Sequence, residues 1–424
     1  MKLLDKEKAI LDGSMGEGMQ KALDNLVQLG KAFDAEKLVD ITYCHYPAEM
    51  AIYRGDVDSL EDLSKYNLKT IVPTTTSTIC YDLDDPAITG IPEELANEQR
   101  RVYPLHMKMG IDPTYTCTPY LLGYIPAPGS YITSVESSAI IWFNSVLGAK
   151  TNRGGIFTKF SALTGKTPYM GYLKDENRKG THLFNIDLKP ENLKSEMDWS
   201  LLGFHIGKIV GSEVPVLVLP DSMRRNIRQE WLISLGAALA TSGSVTLYHI
   251  AGITPEAPSV NGAFQNTKPK DEFTVSINDI NDAKHANNTA KSNEIDFVLL
   301  GCPHYSYNQL CNVAKLLEGK KIKDGVRFWI CTMRGIKMQA RWTGVLDIIE
   351  KSGAKLVCDT CAVESHMRES TCRHFGLKIP NVTRMITDST KQARYVKDLI
   401  GCEVVLSNID DCINAAIAGK VDNF

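Results

Sequence analysis

Short apolar runs alternate along the chain with segments whose apolar residues recur at helical spacing. The clearest alternation begins near residue 295, where residues 296–300, 327–331 and 355–358 are apolar runs of strand length. Residues 310–317 and 345–351, which lie between or just before these runs, each have one apolar face and predict helices. Strands that alternate with helices are typical of a parallel sheet covered by helices. The pattern therefore predicts an α/β fold.

The same alternation continues toward both ends of the chain. Residues 385–386 and 404–406 predict two further strands, each followed by a helix, the second over residues 408–418. The elements predicted earlier in the chain are strands at residues 68–72, 215–219 and 245–250 and a helix at residues 229–240. We interpret the polar segment 262–293, rich in Asn, Asp and Lys, as an exposed excursion or a connection between domains.

The composition is that of a globular protein, which we divide into an N-terminal α/β region, residues 1–290, and a C-terminal α/β domain, residues 291–424. The formal charge is −3, and Lys and Arg are scattered, which gives no support to nucleic-acid or membrane binding. The chain lacks an apolar segment of signal-peptide length at its start, and no apolar stretch reaches the roughly 20 residues that span a bilayer. Eleven cysteines are an odd number and too few for a disulfide scaffold. We therefore predict a cytoplasmic protein with reduced thiols.

Three cysteines stand where proteins commonly present side chains to a ligand. Cys302 and Cys361 come just after predicted strands, and Cys117 lies between threonines shortly before a proline. Ligands bind at the carboxyl ends of strands in open α/β sheets. Because the three are far apart in sequence, they can share a metal only if the whole fold brings them together. The alternative for a free cysteine is a small buried apolar side chain, which suits the other eight: Cys44, Cys80, Cys311, Cys331, Cys358, Cys372, Cys402 and Cys412.

A helix that begins near Glu136 and Ser137 is a candidate anion site, because backbone N–H groups at a helix start attract carboxylates and phosphates. Glu136 also stands three residues after Thr133, the spacing of a capping box, so closing its own helix start is an equal alternative. After this helix, Asn152 and Arg153 precede two glycines, which lets a guanidinium and the backbone approach an anion closely. A helix C-cap with a solvated arginine is the equal alternative there.

Three further residues stand near predicted strand or helix ends. His45 and Ser77 each lie close to the end of a short strand-like run, and Lys391 lies at the start of a predicted helix. Taken singly, such a histidine is more often a structural residue with its hydrogen bonds satisfied. Such a lysine is normally solvated. Their spacing alone therefore assigns them no function.

Several segments together resemble the large subunit of aconitase X, a hydro-lyase of the aconitase superfamily. The resemblance keeps the same order to the end of the chain, and the run that ends at Arg153 is highly specific. The segments that carry it are Val72-Pro73-Thr74-Thr75, Thr116-Cys117-Thr118-Pro119-Tyr120, Glu136-Ser137-Ser138-Ala139, Asn144-Ser145-Val146-Leu147-Gly148-Ala149-Lys150-Thr151-Asn152-Arg153, His249-Ile250-Ala251-Gly252-Ile253-Thr254-Pro255-Glu256-Ala257, Gly301-Cys302-Pro303-His304-Tyr305-Ser306 and Asp359-Thr360-Cys361. The fold that this resemblance implies is aconitase-like, with several doubly wound α/β units, mostly parallel sheets and an active site between domains.

The resemblance implies an iron–sulfur cluster or a mononuclear iron held by Cys117, Cys302 and Cys361. It also implies a set of residues that contact the substrate, namely His45, Ser77, Glu136, Ser137, Asn152, Arg153 and Lys391. Related enzymes have a small swivelling domain, which by resemblance carries the catalytic base, a serine. The sequence up to Phe424 contains no segment for that domain, so we expect it on a separate small subunit. The expected reaction removes water from a small hydroxy acid, with iron as the Lewis acid.

Members of this family dehydrate cis-3-hydroxy-L-proline in bacteria and 5-phosphomevalonate in archaea. The run from His249 to Ala257 looks more like the bacterial branch, which favours the hydroxyproline reaction with 1-pyrroline-2-carboxylate as its product. The sequence departs from the family pattern at Ser14, at Tyr46-Pro47-Ala48, at Ser77 and at Asp388. Two alternatives from other classes are a non-catalytic iron or redox sensor and a thiol-rich scaffold subunit.

Overall fold

The computed structural model describes residues 1–365, 367, 372–373 and 382–422. The strands in these ranges are β1 (Leu38–Asp40), β2 (Cys44–Tyr46), β3 (Thr74–Thr76), β4 (Thr133–Ser134), β5 (Lys166–Pro168), β6 (His182–Ile186), β7 (Pro215–Val218), β8 (His249–Ile250), β9 (Asp271–Val275), β10 (Phe297–Leu300), β11 (Arg327–Thr332), β12 (Lys355–Cys358), β13 (Arg384–Thr387) and β14 (Glu403–Leu406).

The α-helices in the same ranges are α1 (Asp5–Leu11), α2 (Glu17–Ala32), α3 (Arg54–Ser64), α4 (Pro86–Thr89), α5 (Glu93–Arg100), α6 (Val102–Met109), α7 (Ser137–Ser145), α8 (Thr158–Thr164), α9 (Glu196–Val210), α10 (Asp221–Arg224), α11 (Gln229–Gly243), α12 (Val260–Ala263), α13 (Ile277–Asn287), α14 (Tyr307–Leu317), α15 (Arg334–Trp342), α16 (Val345–Ser352), α17 (Thr390–Tyr395) and α18 (Ile409–Ala418). The shorter helical segments are Pro119–Leu122, Gly155–Phe157, Gly171–Leu173, Asp175–Asn177, Pro190–Asn192, Ala362–Glu364 and Val396–Ile400. Among the described residues, no helix combines the length and the apolar character that crossing a membrane requires.

The C-terminal part of the chain forms a five-stranded parallel sheet in the order β12-β11-β10-β13-β14. Four of its strands begin with a charged residue, but the interior positions of all five are apolar because both faces are covered. Along β10, Phe297 and Leu299 belong to one hydrophobic core, whereas Val298 and Leu300 belong to another on the opposite face. The predicted strands of this region are therefore confirmed, and the helices expected between them are confirmed as α14, α16, α17 and α18.

A second parallel sheet has the order β8-β7-β6-β9 and lies beside the paired helices α9 and α11. These two helices approach so closely that a Cβ on Gly203 would lie 2.4 Å from the carbonyl oxygen of Leu235. The strand predicted at residues 215–219 is confirmed as β7, and the helix predicted at residues 229–240 as α11. The strand predicted at residues 245–250 is shorter than expected, because only His249 and Ile250 pair with β7.

The first part of the chain holds a three-stranded parallel sheet, β3-β2-β4, and an antiparallel pair, β1-β5. Cys44 and Tyr46 of β2 pack in one core with apolar residues of α2, α3, α6 and α8. The predicted α/β class is thus confirmed. The division at residue 290 stays a prediction: two of the parallel sheets lie before it and one lies after it.

Two predictions about local structure are wrong. Residues 68–72 form no strand, because the N–H groups of Thr70 and Ile71 donate to unrelated carbonyl groups, those of Met109 and Ala162, and β3 begins only after Pro73. The segment 262–293 is not an excursion: it forms β9, which pairs with β6 along its full length, and the helix α13. β9 is an edge strand of which only Val275 is buried, which explains its polar composition.

Candidate metal and substrate site

Cys117, Cys302 and Cys361 line one cavity of about 450 Å³, which we call the cysteine cavity. Cys302 follows β10 and Cys361 follows β12, two strands of the C-terminal sheet that lie on either side of β11. Cys117 comes from the first part of the chain, two residues before the helical turn Pro119–Leu122. The expectation that strand ends would bring these cysteines to one place is consistent with this arrangement. Their role as metal ligands stays a prediction.

Backbone hydrogen bonds fix these segments to one another. The N–H of Ile79 donates to the carbonyl of Asp359 at 2.8 Å, and the N–H of Cys361 donates back to the carbonyl of Ile79 at 2.9 Å. The N–H of Thr116 donates to the carbonyl of Thr76 at 3.2 Å. The segment after β3 therefore lies between the Cys117 loop and the Cys361 loop, and it joins the first part of the chain to the C-terminal sheet.

Gly301 determines how the Cys302 loop leaves β10. Its φ is 91°, in the region that favours glycine. A Cβ at this position would lie 2.1 Å from the carbonyl oxygen of Cys331 in the neighbouring strand β11. That oxygen is held in place, since it accepts a hydrogen bond from the N–H of Tyr305 at 3.0 Å. Neither the backbone conformation nor the space allows a side chain here.

We therefore expect Gly301→Ala to lower the free energy of unfolding by about 2–3 kcal/mol, because it adds left-handed strain and a clash with rigid backbone. The matched control is Gly319→Ala, at a φ of 71° with no atom within 4 Å of the added Cβ. Urea unfolding of both variants measures the difference. Equal losses in the two variants would show that the contact with Cys331 is unimportant.

Burial raises the pKa of each of the three thiols. The pKa rises to about 12 for Cys117 and to about 11 for Cys361, and it lies well above its ordinary value for Cys302. The nearby ammonium of Lys391 opposes this rise at all three positions. The thiols are therefore protonated at neutral pH unless a cation replaces their protons, which is the usual behaviour of buried metal-binding cysteines.

The donor set suits a metal of soft character, because thiolates select iron–sulfur clusters, zinc and copper(I). Within the described ranges, no three His, Cys, Asp or Glu side chains are close enough together to hold a single metal ion. The three thiols are instead distributed around the cavity wall. Thiolates are the ligands that hold iron–sulfur clusters in proteins, so the chemistry of these three side chains fits such a group.

Lys391 and Glu136 form an ion pair in the wall of the cavity. The ammonium of Lys391 donates to Oε1 of Glu136 at 2.8 Å, and the same oxygen accepts hydrogen bonds from the N–H and the hydroxyl of Ser138 at 3.2 and 2.6 Å. Burial alone would raise the pKa of Glu136, but the Lys391 charge and these hydrogen bonds outweigh it and lower the pKa to about 2. Both groups are therefore charged at neutral pH.

The start of α7 differs from the capping box that the sequence suggested. Glu136 itself is the N-cap residue, and its carboxylate accepts from Ser138 rather than from the backbone of Thr133. Thr133 belongs to β4, and its hydroxyl has no hydrogen-bond partner in the structure as described. Glu136 thus closes its helix and binds Lys391 at the same time. The binding of a substrate anion at this helix start stays a prediction.

Ser77 and Ser137 also line the cysteine cavity, whereas His45 lies outside its wall. Ser77 is buried, and its hydroxyl accepts from the N–H of Ala48 at 3.4 Å. His45 is fully buried in β2, with Nδ1 2.9 Å from the hydroxyl of Thr75 and Nε2 without a partner among the described residues. Burial lowers the pKa of His45 to about 4, so its ring is neutral.

Asn152 and Arg153 line a second cavity of about 540 Å³, which we call the Arg153 cavity. The amide of Asn152 is occupied: it donates to the carbonyl of Met170 at 2.9 Å and accepts from the N–H of Tyr172 at 2.7 Å. Arg153 is exposed. The suggested helix C-cap is wrong, because α7 already ends at Ser145. The predicted contact of these residues with the substrate stays a prediction.

Several residues of the cysteine cavity have no role predicted from the sequence. His304 is buried and contacts the loops of all three cysteines, although only its place two residues after Cys302 hinted at this. Cys331 lies in β11 and lines the cavity as a fourth thiol. Glu364 accepts a hydrogen bond from the hydroxyl of Tyr53 at 2.9 Å, and both residues line the cavity. No sequence signal marks this last pair.

Comparison with known proteins gives a consistent result along the chain. Residues 1–176 match the family model of the aconitase X first domain, residues 180–285 that of the second domain and residues 295–418 that of the third domain. The crystal structure of aconitase X from Thermococcus kodakaraensis in its holo-form superposes with a TM-score of 0.83 at 32% sequence identity. The match covers 98% of this chain and 100% of that one.

Curated relatives include enzymes with two different substrates. The phosphomevalonate dehydratase large subunit of Methanocaldococcus jannaschii is 36% identical over 97% of this chain and 99% of its own length. That of Methanothermobacter thermautotrophicus is 35% identical over 96% of each chain. The cis-3-hydroxy-L-proline dehydratase of Pseudomonas aeruginosa is 32% identical over 98% of this chain, which spans 70% of that protein.

Proposed function

The chain belongs to the aconitase X family, and on that basis we propose that it is the large subunit of a dehydratase that removes water from a small hydroxy acid. The observation that carries the proposal is the cysteine cavity, in which thiols from three separate loops face a buried Lys391–Glu136 ion pair. A cavity of about 450 Å³ has room for a small metabolite beside a metal group.

We propose that Cys117, Cys302 and Cys361 hold an iron–sulfur cluster. The soft donor set supports a cluster, because thiolates are the usual ligands of iron–sulfur centres. When bound there, such a cluster supplies a Lewis acid for the hydroxyl that leaves the substrate. The protein contributes the thiolates and the charges that orient the substrate.

Four of the predicted substrate-binding residues line the same cavity and have complementary chemistry. The ammonium of Lys391 is the group that can pair with a substrate carboxylate, since Glu136 fixes its position and keeps its pKa well above the ordinary value despite burial. The hydroxyls of Ser77 and Ser137 supply hydrogen bonds. A carboxylate held by Lys391 gains negative charge when the neighbouring carbon loses its proton, and a fixed ammonium stabilises that charge.

The charges of the cavity support cis-3-hydroxy-L-proline as the substrate. Among the described residues of its wall, the charged side chains are Lys391, Glu136 and Glu364. Hydroxyproline carries one carboxylate and one ammonium, which this mixture can accommodate. In 5-phosphomevalonate a phosphate of about −1.5 to −2 accompanies the carboxylate. A single lysine that is already paired with a carboxylate is a poor match for so much negative charge.

The alternative substrate, 5-phosphomevalonate, is favoured by a different observation. The large subunits of phosphomevalonate dehydratase match almost the whole of this chain and are themselves covered by 96 to 99%. The hydroxyproline dehydratases are 30% and 32% identical to this chain, against 36% and 35% for these large subunits. Sequence identity therefore points to one substrate and cavity charge to the other, so both belong in the assay.

The decisive experiment is anaerobic purification of the chain together with its small subunit, followed by iron and sulfide analysis and assays with both substrates. We expect bound iron, bound sulfide and formation of 1-pyrroline-2-carboxylate from cis-3-hydroxy-L-proline. Turnover of 5-phosphomevalonate alone would replace the proposed substrate by the alternative. Iron without turnover would indicate a sensor, and a folded protein without iron would indicate a scaffold subunit.

We also expect the purified chain alone to be inactive as a dehydratase. The names of its relatives indicate a large subunit, and by resemblance the base that takes the proton is a serine of the partner subunit. Adding the purified small subunit should restore turnover in proportion to the complex formed. Full turnover by the large subunit alone would show that the base lies in this chain.

Arg153→Lys tests whether Arg153 contributes to substrate binding although it lines a different cavity. Lysine keeps the charge but loses the planar two-pronged grip of a guanidinium. If Arg153 binds the carboxylate, kcat/KM should fall about 30- to 1000-fold, or about 2–4 kcal/mol, with iron content unchanged. Arg225→Lys, at another exposed arginine, is the matched control. Near-native kcat/KM in the Arg153 variant would leave Lys391 as the carboxylate-binding residue.

The chemistry of the cysteines supports a cytoplasmic location, which we propose for this protein. All eleven cysteines are free, and four of them line the cysteine cavity, including the three proposed metal ligands, which must be reduced. Disulfide-forming compartments would oxidise a group of neighbouring thiols such as this one. Cell fractionation with an antibody against the chain tests the location.

A further inference from the structure

His304 connects the loops of all three cysteines in the cysteine cavity. It belongs to the Cys302 loop, and its backbone N–H donates to the sulfur of Cys117 at 3.3 Å. Its ring Nδ1 lies 3.1 Å from the hydroxyl of Thr116, next to Cys117, and its ring Nε2 lies 3.1 Å from the carbonyl oxygen of Thr360, next to Cys361. One residue therefore connects the three segments that carry the thiols.

For a neutral imidazole, the two ring contacts define which nitrogen carries the proton. A carbonyl oxygen only accepts hydrogen bonds, so Nε2 carries the proton that is donated to Thr360. Nδ1 is then the acceptor, and the hydroxyl of Thr116 donates to it. That hydroxyl accepts in turn from the N–H of Thr118 at 3.1 Å. All polar groups of the ring are thus satisfied, and the neutral ring acts as a bridge of fixed length between two loops.

Both loops are also anchored on their far sides. Thr360 pairs with Ile79, and its hydroxyl donates to the carbonyl of Cys358 at 2.6 Å. Thr116 is held by the carbonyl of Thr76. The imidazole is 3% exposed, so water does not compete for these contacts. A bridge between anchored loops controls their separation, whereas the same hydrogen bonds at a mobile surface would not.

We propose that His304 is the positioning residue that sets the distances between Cys117, Cys302 and Cys361 before a metal group binds. The inference rests on the proposed function in so far as these thiols hold iron. The spacing of the three thiols is then set by one imidazole and one backbone N–H of the protein, before any metal is present. Residues that orient metal ligands through hydrogen bonds typically change metal affinity about 10- to 100-fold when they are replaced.

The test compares His304→Leu, which removes both ring contacts, with His304→Asn and His304→Gln. In His304→Asn the side-chain amide lies near the position of Nδ1, so the contact with Thr116 can be kept. In His304→Gln the amide lies near the position of Nε2, so the contact with Thr360 can be kept. The matched control is His249→Leu, at another buried histidine, which has one ring contact of 2.7 Å to the carbonyl of Arg178 and lies outside the cavity wall. Thermal unfolding of each metal-free variant checks that it is folded.

Two readouts are used, one with iron and one without. After anaerobic reconstitution with iron and sulfide, iron per chain, the electron paramagnetic resonance spectrum and the rate of iron release to a chelator are measured. In the metal-free protein, dibromobimane links pairs of neighbouring thiols, and peptide mapping identifies the linked pairs. The second readout reports the spacing of the thiols whether or not the chain binds iron.

We expect His304→Leu to release iron about 10- to 100-fold faster than the unaltered protein, with a changed spectrum and fewer links among the three thiols. The Asn and Gln variants should recover part of each property, and His249→Leu should lose thermal stability only. Unchanged links, spectrum and release rate in a folded His304 variant would overturn the inference. If the unaltered chain binds no iron, the proposed function fails, and the links alone decide the role of His304.

Discussion

Replacing Cys302 by serine should abolish iron binding and dehydratase activity together. A serine hydroxyl is a poor ligand for iron at neutral pH, because it stays protonated where a metal-bound thiol does not. The loop itself should survive the change, since its shape depends on Gly301 and on backbone hydrogen bonds rather than on the sulfur. Iron and sulfide analysis of the reconstituted protein, with circular dichroism as a check of folding, measures the result.

The control for this prediction lies in the same cavity. Cys331 lines it beside the other thiols, but its side chain belongs to β11 in the middle of the sheet, where it packs as a core residue. Cys331→Ser should therefore keep iron and most of the activity, whereas Cys117→Ser and Cys361→Ser should behave like Cys302→Ser. Loss of iron in the Cys331 variant, or its retention in one of the other three, would show that a different set of thiols holds the metal.

Lys391→Met should lower kcat/KM by roughly 1000-fold or more, because it removes the cation proposed to stabilise the developing negative charge. It should also lower the free energy of unfolding by about 2 kcal/mol, since Glu136, whose side chain is 21% exposed, is left as a largely buried carboxylate without its partner. Lys397→Met, at an exposed lysine nearby in the sequence, is the control. Steady-state kinetics and urea unfolding measure the two effects separately.

A double variant separates the two consequences. Lys391→Met combined with Glu136→Gln leaves no buried charge, so most of the lost stability should return while the activity stays low. Recovery of activity in the double variant would show that Lys391 serves only to neutralise Glu136. The amide of glutamine can still accept a hydrogen bond from Ser138, so the helix start should be preserved.

The ion pair also predicts a pH dependence. Folding lowers the pKa of Glu136 to about 2 from its ordinary value of 4.5, so the carboxylate favours the folded state fully above pH 4.5. That contribution is lost as the pH falls from 4.5 toward 2, where the folded protein also becomes protonated. The stability of Glu136→Gln should thus decline less steeply over this interval. Parallel slopes for the two proteins would argue against an ionised Glu136.

The sequence predicted the site best where local pattern and sheet topology agree. Cys302 and Cys361 each follow an apolar run, and parallel strands place their carboxyl ends at one edge, so both positions could be inferred without a structure. The position of Lys391 follows from the same rule, because α17 begins just beyond β13. These inferences depend only on the period of the apolar residues and on the direction of the strands.

Other features depend on contacts that no local pattern contains. The motif that ends at Arg153 gave no sign that its arginine would line a different cavity from the cysteines, although its backbone pairs with Ser134 of β4. The bridge through His304 connects residues 116 and 360, which lie in different parts of the chain. The prediction of an exposed excursion at residues 262–293 is wrong because β9, an exposed edge strand, has the polar composition of a loop.

The three thiols come from different parts of the chain, which determines when during synthesis all three are in place. Cys117 lies in the first part of the chain, whereas Cys302 and Cys361 depend on a sheet whose strands β13 and β14 come last in the sequence. Domains fold in order from the N-terminus during synthesis, so the complete set of ligands exists only after the last strands have been made and paired. Insertion of the proposed iron–sulfur cluster would therefore follow translation, and the thiols of newly made chains would stay open to oxidation until then.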